Sequence, residues 1–149
     1  MMHDPAVIAR RMATQHWGPV ERQCKIAPGI WWFSTAAHGG LIVDTDVRKE
    51  LQEMNSTVYK GGIAYVNDQH FAAFEEDCQA AIVEWVYPSI IPEIQRKLFQ
   101  DETSTHVYTA QRIALLRDSL QHWNPDWLKK YPEPGVPNRR GTEGVADVT

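Results

Sequence analysis

The apolar residues of this chain recur with two different periods. Asp4-Pro5 is typical of a helix start, and Ile8 and Met12 then follow at four-residue spacing until Gly18-Pro19 interrupts the pattern. From Val20 to Ile26 the period changes to two, which is the spacing of a half-buried strand. The N-terminal part of the sequence therefore predicts a short helix followed by a strand.

The segment that follows has the composition of two further strands. Ala27-Pro28-Gly29 is a turn signal, and residues 30–35 are aromatic and β-prone. His38-Gly39-Gly40 breaks this run before the apolar residues 41–43 resume it. These signals predict three antiparallel strands in a meander, while residues 59–66 are compatible with either a fourth strand or an ordered loop.

Four later segments have helical periodicity. Asp44 and Thr45 can cap a short helix, and further helices are predicted after Pro92 and from Thr105 to Trp123. The strongest pattern predicts a central helix that begins after Asn67-Asp68, because its apolar residues recur at spacings of three and four and fall on one stripe. That stripe consists of Phe71, Phe74, Cys78, Ala81, Ile82 and Trp85.

Length and composition fit one globular domain. The chain has 149 residues, of which 43% are hydrophobic and 23% are charged, and this is enough to form one buried core. We therefore predict a single α+β domain in residues 1–131, with a small antiparallel meander of three or four strands packed against the central helix and further C-terminal helices. Residues 132–149 are rich in proline and glycine, which predicts a mobile tail.

Charge and cysteine content argue against several classes of protein. The net charge of −4 disfavours a nucleic-acid-binding protein, which would carry a basic surface. The apolar runs are far shorter than the roughly 20 residues that cross a bilayer, so we expect no membrane association. Cys24 and Cys78 have no paired-cysteine spacing and no signal peptide is recognisable. Both observations predict a cytoplasmic protein.

The first segment that could form a functional site is Ser34-Thr35-Ala36-Ala37-His38-Gly39-Gly40. Two hydroxyl side chains and an imidazole precede paired glycines, which permit positive φ and the close approach of a ligand or another backbone. Candidate binding residues in this segment are Ser34, Thr35, His38, Gly39 and Gly40. The alternative is a plain hairpin turn in which His38 is exposed and has no role.

The second candidate segment is Glu75-Glu76-Asp77. Projected on the predicted central helix, Glu75 and Asp77 border the apolar stripe, and Glu76 points away from it. Carboxylates at the edge of a core need a hydrogen-bond donor or a positive partner, and His38 could be that partner. His38, Glu75 and Asp77 are therefore the candidate catalytic residues. The alternative is structural, because acidic residues are favourable near a helix N-terminus.

Two further chemical hypotheses use the same residues, and neither has a complete motif. A metal site would draw on His38, His70, Glu75, Asp77 and Cys78, but no known metal-binding spacing is present. A nucleophilic set of Cys78, His38 and Glu75 is conceivable, although Cys78 lies at the centre of the apolar stripe, where cysteine is usually a packing residue. We therefore expect no metal and no cofactor.

Trp31 and Trp32 are adjacent in a predicted strand, so their side chains must lie on opposite faces of the sheet. One of them then needs a second cover, which could be a helix, a second copy of the chain in a homodimer, or a bound partner. Both are candidate binding residues on this ground, since tryptophan is enriched at the energetic centres of protein interfaces.

Together, the two candidate segments resemble an uncharacterised family of small phage and plasmid proteins. The resemblance rests on residues 32–40, Phe74-Glu75-Glu76-Asp77-Cys78, Ala81-Ile82-Val83 and Tyr87-Pro88. Members of that family typically read S-T-P-x-H-G-G and then W-Y-E-E-D-C, whereas here Ala36 replaces the proline and Ala73-Phe74 replaces the Trp-Tyr pair. The resemblance implies an origin in a mobile genetic element, whose short proteins often counter host defences.

Two functions are compatible with these observations. The favoured one is a non-enzymatic protein-interaction module of a phage or mobile element that binds a host protein in the host cytoplasm, for example an inhibitor of a defence system such as an anti-CRISPR. The alternative is a small enzyme or ligand-binding domain with a pocket formed by His38, Glu75 and Asp77, with or without a metal. The distance between His38 and Glu75 tests the alternative, because beyond about 8 Å they can share neither a hydrogen bond nor a metal.

Overall fold

The computed structural model describes residues 4–54, 65–76 and 78–136, and these form an α+β fold, as the sequence predicts. The N-terminal elements are α1 (Pro5–Trp17), β1 (Arg22–Ala27), β2 (Ile30–Ser34), β3 (Gly39–Val43) and α2 (Thr45–Met54). They are followed by β4 (Tyr65–Val66), β5 (Ala72–Glu75), α3 (Ala80–Val86), α4 (Ile90–Ile94), a π-helical turn (Gln95–Phe99), α5 (Thr105–Trp123) and α6 (Pro125–Lys130).

The strands of the described residues form one antiparallel sheet in the order β1-β2-β3-β5-β4. The predicted meander of β1, β2 and β3 is confirmed, and the sheet is extended by two strands from later in the chain. β5 pairs with β3, so that Gly40 lies opposite Glu75 and Val43 lies opposite Ala72. This pairing places the end of β5 beside the start of β3, where the glycine turn enters the sheet.

Different helices cover the two faces of the sheet. Successive side chains of a strand point to opposite faces, and each face of this sheet contributes to its own hydrophobic cluster. Leu41 and Phe74 pack on one face with residues of α3 and α5, including Trp85 and Leu120. The side chains on the other face pack against α1, and they include Trp31, Phe33, Ile42 and Ala73. The sheet is therefore the middle layer of the fold.

The prediction that residues 71–76 belong to the first half of a central helix is wrong. Ala72–Glu75 is a strand, and the helix begins only at Ala80. Phe71 and Phe74 accordingly belong to the two different clusters, on opposite faces of the sheet. Residues 71–74 are all buried, and a strand buried on both faces shows no period of two, so its apolar run can imitate a helix.

The predicted helix boundaries are otherwise close to the observed ones. Asp4 caps α1 by accepting a hydrogen bond from the amide of Ala6 at 2.8 Å, and Asp44 caps α2 by accepting one from the amide of Val47 at 3.0 Å. α5 has the bounds expected from the sequence. The helical segment predicted after Pro92 is instead divided between α4, which begins at Ile90, and the π-helical turn.

The first residues of the predicted C-terminal tail contact the body of the protein. The amide of Gly135 donates a hydrogen bond to the carbonyl oxygen of Trp85 at 2.7 Å, and Nη1 of Arg117 donates one to the carbonyl oxygen of Pro132 at 3.0 Å. Residues 137–149 lie outside the described residues, so the tail stays a prediction for them.

Three further expectations concern the membrane, the cysteines and the fourth strand. Within the ranges that the structure describes, no helix is long and apolar enough to cross a bilayer. Neither Cys24 nor Cys78 forms a disulfide within the described residues. Of the region considered for a fourth strand, residues 65 and 66 form β4, and residues 59–64 lie outside the described residues.

Candidate functional site

The hydroxyl of Thr35 fixes the loop between β2 and β3. It lies 3.2 Å from the carbonyl oxygen of Trp17 and 3.0 Å from that of His38, and it accepts a hydrogen bond from the His38 amide at 3.1 Å. The amide of Thr35 also donates to the His38 carbonyl oxygen at 2.7 Å. The loop is therefore a hydrogen-bonded turn anchored to the C-terminal end of α1, and Thr35 has a structural role in it.

Gly39 and Gly40 are explained by the close approach of β5 and of Glu76. A Cβ atom at Gly40 would overlap the carbonyl oxygen of Phe74 on the paired strand. A Cβ atom at Gly39 would lie only 2.5 Å from Oε1 of Glu76 and 3.0 Å from the carbonyl oxygen of Phe33. Packing therefore requires glycine at position 40, where the overlap is with backbone, whereas a side chain at position 39 would have to displace the flexible end of Glu76 and would lie tightly against the Phe33 carbonyl oxygen. The Gly-Gly and Glu-Glu segments are in direct contact.

His38 and Glu75 lie within hydrogen-bonding distance of each other. Nδ1 of His38 is 3.1 Å from Oε2 of Glu75, well inside the 8 Å limit that a shared site requires. Because Gly40 pairs with Glu75 across β3 and β5, the contact joins the turn to a strand and not to the flank of a helix. The two side chains are 52% and 35% exposed, and such ion pairs contribute only about 0–1 kcal/mol to stability.

A polar cleft of about 220 Å³ opens beside this pair. It is lined by residues 34–39 together with Glu75 and Glu76. The candidate residues Ser34, Thr35, His38 and Gly39 therefore line the cleft, whereas Gly40 does not. The cleft is smaller than the roughly 300–1,000 Å³ of sites for drug-sized ligands, so it fits a small polar molecule or a single polar group.

His16 is a third titratable residue near the cleft, and nothing in the sequence pattern singled it out. It lies at the end of α1 and stacks on Tyr65, with ring centroids 4.4 Å apart and an interplanar angle of 8°. Desolvation by the surrounding protein lowers the pKa of His16, the charge of Glu75 raises it and His38 lowers it further. His16 therefore responds electrostatically to both members of the His38–Glu75 pair.

The remaining residues of the predicted acidic segment have different positions. Asp77 lies outside the described residues, so its role in the site stays a prediction. Cys78 is half-buried, and its carbonyl oxygen accepts a hydrogen bond from Nδ2 of Asn124 at 3.1 Å. Among residues 4–54, 65–76 and 78–136, no group of three or more His, Cys, Asp or Glu side chains is arranged to hold a metal ion.

Trp31 and Trp32 lie on opposite faces of the sheet, and neither lines the cleft. Trp31 is 6% exposed in the cluster that α1 covers, and its ring stacks with that of Phe71 at 6.1 Å. Trp32 is half-buried on the other face, with the guanidinium carbon of Arg22 5.4 Å from its ring centroid. The second cover that one tryptophan needed is therefore a helix, and Trp31 is not available to a partner in this fold.

A second ion pair, which the sequence pattern did not reveal, lies inside the helical layer. Nε and Nη2 of Arg112 donate to the two carboxylate oxygens of Glu84, each at 2.8 Å. The Glu84 side chain is only 5% exposed, and hydrogen bonding to it raises the pKa of Arg112. A usable signal was present in the sequence, because Glu84 is the one charge in the apolar run Ala80–Val86 and a buried carboxylate requires a partner.

The fold and the site define an α+β domain in which a glycine turn and a neighbouring strand form a polar cleft. The family model described as Domain of unknown function (DUF7007) matches residues 10–140, and the chain belongs to this family. The matched range contains every described residue that lines the cleft. No curated protein and no solved structure matches the chain. Membership of an uncharacterised family agrees with the resemblance seen in the sequence.

Proposed function

We propose that this protein binds a small polar ligand, or one polar group of a larger partner, in the cleft beside His38. The observation that supports this function is the 3.1 Å contact between His38 and Glu75 at a polar cleft, with both side chains accessible to solvent. Because so exposed a pair adds little to folding stability, its position is better explained by binding than by folding.

Glu75 also determines how His38 can interact with a ligand. When the Nδ1–H group of His38 donates to the Glu75 carboxylate, the neutral imidazole carries its lone pair on Nε2. Nε2 then accepts a hydrogen bond from a hydroxyl or N–H group. The pair therefore favours a ligand that presents such a donor, for example a sugar, a nucleoside or an amide.

The same pair could act as a general base, which is the enzymatic form of the proposal. Nε2 of His38 would take a proton from a bound hydroxyl or water, and the Glu75 carboxylate would stabilise the imidazolium that forms. Thr35 is poorly suited to be a nucleophile, because its hydroxyl is engaged with main-chain groups on both sides. We therefore favour ligand binding over catalysis as the function of the cleft.

NMR titration tests the proposed site directly. Nucleosides, monosaccharides, amino acids and short carboxylic acids are added separately, while the amide signals of residues 34–39 and the imidazole signals of the histidines are recorded. We expect one class of compound to shift the signals of residues 34–39 and of His38. The variants His38→Gln and Glu75→Gln should lose this response.

His106→Gln is the matched control, since it removes an exposed imidazole from α5. All three variants should melt within about 4 °C of the wild type, because none removes a buried contact. Two results contradict the proposal: that no compound shifts residues 34–39, or that the shifts persist unchanged in both cleft variants.

The second candidate function is the one that the sequence favours, a non-enzymatic interaction module of a phage or other mobile element. Trp123, at the end of α5, supports it, because this side chain is 57% exposed and tryptophan is enriched in binding hot spots. In this proposal the protein binds a host protein in the host cytoplasm, such as a component of a defence system, and an anti-CRISPR is one form of it.

Expression in a host with an active defence system distinguishes the two candidates. Plaque counts are compared for the wild type, Trp123→Ala and His38→Gln at equal protein levels. Loss of protection with Trp123→Ala alone supports the interaction module. Loss with His38→Gln alone supports the cleft, and no protection by the wild type contradicts an anti-defence function.

A further inference from the structure

A second cavity lies between the sheet and the helical layer, on the face opposite α1. Its volume is about 290 Å³, close to the lower limit of roughly 300 Å³ for small-molecule sites. Its wall is about equally apolar and polar: the large apolar side chains are Trp32, Leu41, Ile94 and Phe99, and the charged ones are Glu76, Glu84 and Arg112. Neither His38 nor Glu75 lines this cavity. It is therefore a separate site, although Glu76 borders both cavities.

The guanidinium group of Arg112 has one edge occupied and one edge available. The Nε–H group and one Nη2–H group are donated to the buried carboxylate of Glu84, which locks the plane of the guanidinium. Among the described residues, Nη1 of Arg112 donates to no partner. The outer edge, formed by Nη1–H and the second Nη2–H, can therefore donate two parallel hydrogen bonds to a ligand with two adjacent acceptors.

Two aromatic side chains, Trp32 and Phe99, line the cavity. Trp32 is half-buried in the sheet, and Arg22 lies over its ring without lining the cavity. Phe99 is 58% exposed, at the end of the π-helical turn. An aromatic side chain this exposed at a cavity wall is a good stacking surface for a planar ring.

The charges around the cavity select among ligands with two adjacent acceptors. Glu76, Glu84 and Arg112 line it and together carry a net charge of about −1 when ionised, which disfavours carboxylates and phosphates. Among ligands with two adjacent acceptors, a neutral planar ring is therefore favoured. Guanine is such a ring, and it presents two adjacent acceptors, O6 and N7, to an arginine side chain. Adenine presents one acceptor and one donor in the same positions, so it matches Arg112 poorly.

We propose that this cavity binds a guanine base, stacked on Trp32 and Phe99 and hydrogen-bonded to the outer edge of Arg112. The base would come from a free nucleoside and not from a nucleic acid, because the protein has a net charge of −4 and lacks the positive charge that phosphate backbones require. This site does not depend on the His38 cleft, so either proposal can fail alone.

Calorimetric titration with guanosine and with adenosine tests the proposal. We expect guanosine to bind at least ten-fold more tightly than adenosine, because a good bidentate contact is worth about 1–3 kcal/mol of discrimination. Phe99→Ala should weaken guanosine binding by roughly five-fold or more. Trp123→Ala is the matched control, since Trp123 is 57% exposed and Phe99 is 58% exposed, and it should leave binding unchanged.

Two further variants assign the contacts. Arg112→Lys keeps the positive charge but loses the fork, so it should remove the preference for guanosine over adenosine. In His38→Gln the Phe99-dependent binding of guanosine should remain, whereas binding that His38→Gln removes and Phe99→Ala does not would lie in the His38 cleft and overturn the proposal. The proposal is overturned if guanosine binds more weakly than about 1 mM, if adenosine binds as tightly, or if Phe99→Ala behaves like Trp123→Ala. Binding of a guanine-containing oligonucleotide without binding of guanosine would also overturn it.

Discussion

Two of the ion pairs among the described residues have similar lengths but very different surroundings. His38 and Glu75 meet at 3.1 Å at the mouth of a cleft, with side chains 52% and 35% exposed. Arg112 and Glu84 meet at 2.8 Å between α5 and α3, and Glu84 is 5% exposed. In water the attraction of a pair is screened and offset by side-chain entropy, whereas an unpaired buried charge is costly. The burial of the charged groups, and not the distance between them, therefore determines which pair contributes more to the stability of the fold.

This difference in burial indicates that the Arg112–Glu84 pair stabilises the fold and that the His38–Glu75 pair is accessible to a ligand. The buried pair connects two helices of the main core, so its loss should affect folding first. The exposed pair connects a turn to a strand that backbone hydrogen bonds already hold together, so its loss should affect the cleft first.

Arg112→Met should have the largest effect on stability. It leaves the buried Glu84 carboxylate without its two hydrogen bonds, and breaking a buried pair from one side costs about 3–5 kcal/mol. Urea denaturation measures the loss. Arg96→Met is the matched control, because Arg96 is 62% exposed in its pair with Glu93, and it should cost less than about 1 kcal/mol.

The double variant Glu84→Leu with Arg112→Met sharpens this test. With both charges removed, no unpaired carboxylate remains, and replacement by apolar residues is often close to neutral. We expect the double variant to recover most of the stability lost in Arg112→Met. A double variant as unstable as the single one would show that packing, and not the unpaired charge, causes the loss.

Glu84→Gln should have a smaller effect than Arg112→Met. The Arg112 side chain is 35% exposed, so water can partly solvate its guanidinium when the charged partner is lost, whereas the Glu84 side chain is only 5% exposed. We expect a loss of about 1–3 kcal/mol, the range for a hydrogen bond to a charged group, measured in the same urea series. A loss equal to that of Arg112→Met would contradict the role given to burial.

The sequence predicted most of the fold because local signals and tertiary packing agree there. Turn residues and period-two alternation locate β1, β2 and β3, and aspartate caps locate α1 and α2. β5 was missed because it is covered on both faces, so its apolar residues carry no strand period. The spacing of Phe71 and Phe74 then imitated a helix, although these side chains belong to opposite faces.

The candidate site was predicted less completely, because its contacts depend on pairings between distant parts of the chain. The proximity of His38 and Glu75 was expected, but its cause is the register of β3 with β5, which depends on a pairing between distant parts of the chain. The burial of Trp31 likewise depends on α1 crossing the sheet. Glu84 and Arg112 are 28 residues apart, and a charge within a helix gives no indication of which distant residue will pair with it.

The His38–Glu75 pair should contribute little to stability. A double-mutant cycle with His38→Ala and Glu75→Ala should give a coupling energy of about 0.2–1 kcal/mol. A parallel cycle on the pair Arg96 and Glu93 is the control and should give a coupling energy in the same range. A coupling above about 3 kcal/mol would place the His38 contact in the same class as the buried pair.

Substitution of His16 should have the smallest effect on stability, and it is the most specific test. The pKa of His16 depends on the charges of His38 and Glu75, although His16 is not part of that pair. Desolvation lowers the pKa of His16 in the folded protein, so the unfolded chain binds more protons than the folded one between the folded pKa and about pH 6.5. Stability should therefore fall as the pH decreases through this window and level off below the folded pKa. His16→Gln should reduce the slope, whereas His106→Gln should not.

NMR titration of the His16 ring in Glu75→Gln connects this test to the cleft. Glu75 raises the pKa of His16 against the effect of desolvation, so removal of the carboxylate charge should lower that pKa further. Glu93→Gln removes a half-buried carboxylate from α4 and should leave the pKa of His16 unchanged. If Glu75→Gln also leaves it unchanged, the carboxylate is screened from α1 by water. His16 would then report only its packing against Tyr65.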